Sequence, residues 1–238
     1  MVIRDGEYLA LRGREEVFAR RRQRQANTRR LRRKAEQCGR VISHLPFVRM
    51  VAITGSIAAD NAAEGADLDF MIVTAPGRVW TVRALSMVVV RFWSLRGVTV
   101  CPNYLLAESA LALPERDRYT ARELLQMLPV GASHAYERML RENEWWRDFL
   151  PNATPRAHAR PAKLTLGRRI IEGMMSTELF DLAERWLMRR KASELRGQAT
   201  TTEAVFSAEM CKGNFENWRA RTEQATAERL KALLERKS

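Results

Sequence analysis

Two aspartates separated by one residue, Asp67 and Asp69, are the side chains of this sequence best suited to chemistry. Residues 67–73, Asp-Leu-Asp-Phe-Met-Ile-Val, are typical of a buried strand, and side chains alternate along a strand. We therefore expect both carboxylates on one face and Leu68 on the other. Two hard oxygen ligands in this arrangement suit Mg²⁺ or Mn²⁺, which completes its coordination with water and substrate phosphate.

A glycine-serine pair precedes these acids, with ten residues between Ser56 and Asp67. The apolar run 47–54 is rich in β-branched and large side chains and predicts a buried strand that stops at Gly55. Glycine lets the backbone approach an anion closely, and a serine where a helix begins lies beside unpaired N–H groups. We predict that Gly55 and Ser56 bind the phosphates of a nucleotide.

The order strand, Gly-Ser, short helix and Asp-Leu-Asp-Phe strand resembles the signature of the DNA polymerase β-like nucleotidyltransferase superfamily, over about residues 41–75. The resemblance implies that Ser56 contacts the β- and γ-phosphates of a nucleoside triphosphate and that Asp67 and Asp69 hold the metal ions. It also implies the reaction: an acceptor hydroxyl attacks the α-phosphate, a nucleoside monophosphate is transferred, and pyrophosphate leaves.

The sequence departs from the family pattern at several positions. Asp60 stands where a second glycine is frequent, and Ala66 stands where a serine often precedes the first acid. The family usually has a third carboxylate on a later strand, but the run 98–105 contains no acid. Glu108 is the nearest catalytic replacement, and Asn103 is a neutral one. A catalytically silent nucleotide- or RNA-binding protein with the same fold is therefore the alternative function.

The remaining pattern predicts an α+β fold. Apolar periodicity indicates helices over 14–43, 78–96, 119–127 and 132–149, and a third strand over 98–105. Three prolines predict an exposed linker over 151–163. We expect a nucleotidyltransferase core over 1–150, with a small mixed β-sheet flanked by helices, followed by an all-helical C-terminal domain over 164–238, with helices over 164–196, 202–209 and 215–237.

Charge points to polyanionic partners. The net charge is +13, and the first 40 residues contain twelve Arg and one Lys against five acids. Such a surplus favours phosphate contacts, so the basic N-terminal helix either binds RNA or is a solvated helix face. Cys211-Lys212-Gly213 is either a loop that brings Lys212 to the nucleotide or a plain helix connection. An RNA end, a small metabolite and a protein all stay open as acceptors.

No membrane association is expected. The most apolar stretch, 80–95, contains Arg83 and Arg91 and is shorter than the roughly 20 apolar residues that cross a bilayer. The N-terminus has no apolar segment of the secretory kind, so we expect a cytoplasmic protein. The three cysteines are far apart and are expected to be reduced thiols. The cysteines show no zinc-ligand spacing, and none of the three histidines lies near another His or Cys, so any metal site must use carboxylates.

Overall fold

The computed structural model describes residues 2–130, 134–155, 165–198, 203–213 and 218–235. In these ranges a mixed sheet of six strands forms the centre of the fold, and a separate two-stranded hairpin precedes it. The strands are β1 (Val2–Asp5), β2 (Tyr8–Leu11), β3 (Val48–Ile53), β4 (Leu68–Thr74), β5 (Val100–Ala107), β6 (Leu128–Val130), β7 (Val205–Phe206) and β8 (Met210–Lys212).

The helices lie on both faces of this sheet. They are α1 (Glu16–Ser43), α2 (Gly55–Ala58), α3 (Val79–Ser94), α4 (Arg118–Gln126), α5 (His134–Glu142), α6 (Trp146–Phe149), α7 (Leu166–Met174), α8 (Glu178–Gln198) and α9 (Trp218–Glu235). The helix predicted over 132–149 is two helices in the described part, because the Asn143 side chain bonds to the backbone of Leu111 and Leu113 where α5 ends. No helix of the described residues is both long and apolar enough to cross a membrane.

Alternating side chains of the central strands point into two apolar cores, one on each face of the sheet. Leu68, Phe70 and Ile72 face one core together with residues of α1 and α3, including Ile42 and Trp80. Met71 and Val73 face the other core, which α4, α5 and α6 complete with side chains that include Leu124, Tyr136 and Trp146. The period of two in β4 thus explains why helices cover both faces of the sheet.

Strand order brings three strand ends together. The sheet has the order β6–β3–β4–β5–β8–β7, in which β3 and β4 are antiparallel and β4 and β5 are parallel. Ile53 at the end of β3 pairs with Phe70, and Asp69 pairs with Cys101 near the start of β5. The end of β3 and the beginnings of β4 and β5 therefore lie next to each other at the same end of the sheet.

The C-terminal part is not all helical, and this prediction is wrong. β8 pairs with β5 of the central sheet, with Leu105 opposite Cys211, and β7 pairs with β8. Phe206 and Cys211 are buried in the core that α1 and α3 share. The backbone bonds offered by the free edge of β5 and this burial outweigh the weak local preference for a helix over 202–209.

The α+β class is confirmed, whereas the nucleotidyltransferase core is still a prediction. Most of the predicted linker, residues 156–163, lies outside the described residues. Beyond it, α8 packs on α3 and α9 packs on α4. The C-terminal helices therefore rest directly on the elements that surround the sheet.

Candidate functional site

The turn after β3 is built around Gly55. Its φ is +62°, which glycine adopts readily, and a Cβ at this position would overlap the Asp69 carboxylate. Asn61 N–H donates to the Ser56 carbonyl oxygen at 2.8 Å and closes the turn. Helix α2 has only four residues, so the turn offers nearby amides rather than the dipole of a long helix. Ser56 Oγ makes no hydrogen bond within the described ranges and is free to bind a ligand.

Asp67 and Asp69 lie at the start of β4 and face the start of β5. Asn103 Nδ2 donates to Asp69 Oδ1 at 2.6 Å, and Cys101 Sγ lies 3.8 Å from Asp67 Oδ2. Asp67 is exposed, whereas Asp69 is half-buried. The structure thus brings together the two acids and the glycine turn that the sequence indicated, and it adds Cys101 and Asn103 from the neighbouring strand.

The electrostatics of this cluster favour a cation. Burial, which is the largest cause, and the charges of Asp67 and Glu123 together raise the pKa of Asp69 from 3.8 to about 7, against the hydrogen bond from Asn103. Burial, and then the two aspartates, also raise the pKa of the Cys101 thiol to about 11. Cys101 is therefore a protonated thiol near neutral pH, and Asp69 is ionised fully only when positive charge is near.

Glu123 is a third acid at the site, and the sequence did not point to it. Its carboxylate lies close to the Gly55 N–H and interacts electrostatically with Asp69. Burial raises the pKa of Glu123, and the Arg122 charge opposes this. Glu123 lies on α4, whose Leu124 is buried in the core beneath. Only the packing of α4 on the sheet brings this carboxylate to the turn.

Glu108 does not belong to the site, so this prediction is corrected. It follows the end of β5, where its N–H donates to the Thr74 carbonyl oxygen and its carboxylate lies 3.9 Å from Arg49 Nε. Asp69 pairs with Cys101 near the beginning of the same strand. Because β4 and β5 are parallel, the end of β5 lies at the opposite edge of the sheet from the two aspartates.

Lys212 lies on β8, in neither a loop nor a helix connection. Its ammonium is 2.7 Å from Glu115 Oε1 and 5.3 Å from the centre of the Tyr104 ring. The following residue, Gly213, donates its N–H to the Asn103 carbonyl oxygen at 2.9 Å. Strand β5 therefore lies between Lys212 and the strand that carries the aspartates, and Glu115 already neutralises the charge of Lys212.

Helix α1 holds the loop that follows the glycine turn. Asp60 has a φ of +54°, a left-handed conformation that asparagine and aspartate tolerate and glycine prefers, which fits the substitution seen in the sequence. Gln25 Nε2 donates to Asp60 Oδ2 at 3.0 Å, and Ala62 N–H donates to Thr28 Oγ1 at 2.9 Å. These bonds fix the loop between the turn and Asp67.

The basic face of α1 is exposed to solvent and carries unpaired positive charge. Exposed basic residues that form no ion pair within the described part of the chain recur at helical spacing and include Arg29, Arg30, Arg33 and Lys34. Arg32 and Arg40, by contrast, both lie close to Glu36, at 3.3 and 3.6 Å. The unpaired group is a continuous positive surface of the kind that binds phosphate backbones.

Among the described residues, no group of three or more His, Cys, Asp or Glu side chains is arranged to hold a metal ion. Two carboxylates nevertheless satisfy the protein share of a Mg²⁺ site, because this ion keeps several waters and takes oxygens from substrate phosphates. The raised pKa of Asp69 beside Asp67 indicates that the donor set lacks a counter-charge. The residues present therefore fit one such ion.

Two cavities lie away from these acids. One, of about 710 Å³, lies past the end of β4 and is lined by Arg49, Arg78 and Glu172 among others. Another, of about 510 Å³, lies between the hairpin and α1 and reaches Asn61. Neither is lined by Asp67 or Asp69. The acids thus lie in an open part of the surface, where Asp67 and Asn103 are exposed.

Comparison with protein-family models, with curated proteins and with solved structures found no match for this chain. The functional interpretation therefore depends on the residues of the site and their geometry.

Proposed function

We propose that this protein is a metal-dependent nucleotidyltransferase that transfers a nucleoside monophosphate from a nucleoside triphosphate to an acceptor hydroxyl. The observation that carries the proposal is the contact between the glycine turn and the acids. Gly55 leaves no room for a side chain because the Asp69 carboxylate lies against it, and Asp67 is beside Asp69. A phosphate bound at the turn would thus lie next to both carboxylates.

The chain itself would mainly position and neutralise charge. Asp67 and Asp69 would hold Mg²⁺ or Mn²⁺, which would stabilise the negative charge on the phosphates. Ser56 Oγ donates to a phosphate oxygen of the triphosphate. Asn103 fixes the Asp69 carboxylate through its 2.6 Å hydrogen bond and so aims the second oxygen at the ligand. Catalysis would then arise from orientation and electrostatic stabilisation, without a covalent intermediate on the protein.

Glu123 is proposed as a positioning residue. Its carboxylate beside the Gly55 N–H would hold the turn in place, and its negative charge next to Asp69 would favour binding of a cation. Helix α9 supports α4 in this role, because Glu223 accepts the Tyr119 N–H and Arg219 pairs with Asp117. The C-terminal helix would thereby stabilise the active geometry.

The basic face of α1 favours an RNA acceptor over a small metabolite. Arg29, Arg30, Arg33 and Lys34 project into solvent without acidic partners in the described ranges, and α1 also holds the loop between Ser56 and Asp67. If RNA binds here, its affinity falls steeply with rising salt. Replacing Arg29, Arg30 and Arg33 by Gln should then weaken RNA binding and flatten its salt dependence. RNA binding that these changes leave intact would show that RNA does not bind on α1 and would remove this reason to prefer an RNA acceptor.

A catalytically silent nucleotide-binding protein is the second candidate. Asn103 favours this candidate, because it places a neutral amide on β5, where the family that this sequence resembles usually has a carboxylate. Binding of a nucleoside triphosphate with Mg²⁺ that never leads to turnover would support this candidate.

Transfer of label tests the proposal. The protein is incubated with each nucleoside triphosphate labelled on the α-phosphate, with Mg²⁺ or Mn²⁺, and with cellular RNA or a metabolite extract, while pyrophosphate is measured. We expect label in one acceptor pool, stoichiometric pyrophosphate, and loss of both in the Asp67→Asn and Asp69→Asn variants. Pyrophosphate release that is unchanged in both variants would refute the assignment.

A further inference from the structure

Helix α7 turns Arg168 and Glu172 towards the protein and its large apolar side chains towards solvent. Arg168 Nε lies 2.9 Å from Glu172 Oε1, and Arg168 Nη1 donates to the Ser43 carbonyl oxygen at 3.0 Å. Glu172 also accepts two hydrogen bonds of 3.1 Å from Arg49. No residue of α7 is buried, and its large apolar side chains are all exposed, namely Leu166, Ile170, Ile171 and Met174.

Helix α8 continues this outward apolar surface. Its inner side packs on the core through Glu184, Ala192 and their neighbours. On the opposite side Leu179, Leu182 and Trp186 follow each other at helical spacing and are 72%, 56% and 56% exposed. Only residues 175–177 separate the two helices, and the exposed Met174 and Leu179 lie on either side of this short connection. We call these seven side chains of α7 and α8 the outer face.

An exposed apolar surface of this extent marks an interaction site, because monomeric proteins rarely leave large contiguous apolar patches in water. Its charged surroundings say what kind of partner fits. Glu178 lies at the start of α8, and Arg185 and Arg189 follow seven and eleven residues later, so all three lie on the same flank of the helix. All three are exposed and form no ion pair within the described residues.

This arrangement is complementary to itself. If α8 packs antiparallel against α8 of a second copy about a two-fold axis near Leu182, Leu179 of each copy meets Trp186 of the other. The same operation places Glu178 of each copy beside Arg185 and Arg189 of the other, because an antiparallel two-fold pairs equal flanks. Arg190 lies over the Trp186 ring at 5.2 Å and places a charge beside the apolar centre, as is usual at the rim of an interface.

We propose that the outer face is a homodimer interface in which α8 packs antiparallel against α8 of a second copy of this chain. An anionic membrane surface fits less well, because Glu178 and the half-exposed Asp181 would bring negative charge against the lipid headgroups. The interface is independent of the proposed activity, since it lies on α7 and α8 and not at the aspartates.

Sedimentation equilibrium of the full chain tests the proposal. We expect a dimer at micromolar concentration and a folded monomer for Leu182→Glu, with circular dichroism confirming the fold. The matched control is Val88→Glu on α3, because Val88 is 68% exposed but lies outside the outer face. This control should stay dimeric. A monomeric wild type, or a dimer that survives Leu182→Glu, would overturn the proposal.

A charge exchange separates self-association from other partners. Glu178→Arg and Arg189→Glu should each weaken the dimer about 5- to 30-fold, because the two-fold axis repeats each ion pair. The double variant should dimerise more tightly than either single variant, because it rebuilds the pair between positions 178 and 189 with opposite sign, although Arg185 keeps its charge. Failure of the double variant to recover, or binding of the monomer to anionic vesicles in place of dimerisation, would contradict the proposed pairing.

Discussion

Replacing Asp69 by Asn should make the metal-free protein more stable and at the same time abolish transfer. In the folded protein, burial and the charges of Asp67 and Glu123 raise the pKa of Asp69 from 3.8 to about 7. Because the folded pKa lies above the unfolded value, ionisation of Asp69 destabilises the fold progressively as the pH rises through this range. Above about pH 7 the penalty is constant, and below the unfolded pKa it vanishes.

The size of the effect follows from the shift. One pKa unit corresponds to about 1.4 kcal/mol, so the full shift would amount to about 4 kcal/mol. Asp69 is only half-buried, and solvent screens its charge, so we expect the Asp69→Asn variant to gain about 1–3 kcal/mol at pH 8. At pH 5 the gain should fall to less than half of this, because Asp69 is already protonated in the folded wild type.

Urea unfolding with EDTA at pH 8 and pH 5 measures both values. The matched control is Glu144→Gln, since Glu144 is exposed and outside the site, and it should change the free energy of unfolding by less than about 0.5 kcal/mol at either pH. Added Mg²⁺ should stabilise the wild type and leave the Asp69→Asn variant unchanged. A variant that is less stable than the wild type at pH 8, or a gain that does not depend on pH, would refute the uncompensated charge at Asp69.

Three further predictions concern the turn, the third acid and the anchor of α7. Gly55→Ala should abolish transfer and lower the free energy of unfolding by about 2 kcal/mol or more. The control Gly65→Ala has a similar positive φ but open space around it, so it should lower the free energy of unfolding by about 1 kcal/mol and keep activity. Equal losses of stability, measured by thermal unfolding, and of activity in the two variants would contradict the contact between Gly55 and Asp69. Glu123→Gln should lower kcat at least tenfold and Glu108→Gln should leave it unchanged, and the reverse order in steady-state assays would restore the sequence-based choice. Glu172→Gln should destabilise the protein by about 2–3 kcal/mol at pH 7, as measured by urea unfolding. Burial raises the pKa of the Glu172 carboxylate, but its hydrogen bonds, those from Arg49 first, outweigh burial and hold the pKa below 4.5. The ionised carboxylate stabilises the fold only above that pKa, so the difference between variant and wild type should shrink as the pH falls below 4, and a difference that does not change with pH would contradict this.

The local part of the site could be predicted from the sequence. The β3 strand, the turn at Gly55 and the strand that begins after Asp67 depend on neighbouring residue types, and they lie where the pattern indicated. Helix α1 was also predictable, because no proline interrupts it and its basic residues tolerate a helix.

The non-local part could not be predicted in the same way. Glu123 reaches Gly55 only because α4 packs across the sheet, and nothing in the residues around Glu123 signals this. The sheet topology excludes Glu108 from the site. A helix between two strands favours a parallel pair, and the beginnings of parallel strands lie at the same end of the sheet, whereas Glu108 follows the end of β5. On that argument Asn103, at the beginning of β5, was the better position. The short strand β8 carries little local preference and forms because β5 has a free edge.

A crystal soaked with a non-hydrolysable nucleoside triphosphate and Mn²⁺ would test the central claim most directly. We predict an anomalous peak between the carboxylates of Asp67 and Asp69, at about 2.0–2.3 Å from an oxygen of each, with the phosphate chain against Ser56 and the turn. A triphosphate bound instead in the cavity lined by Arg49 and Arg78, with no metal between the two aspartates, would contradict it.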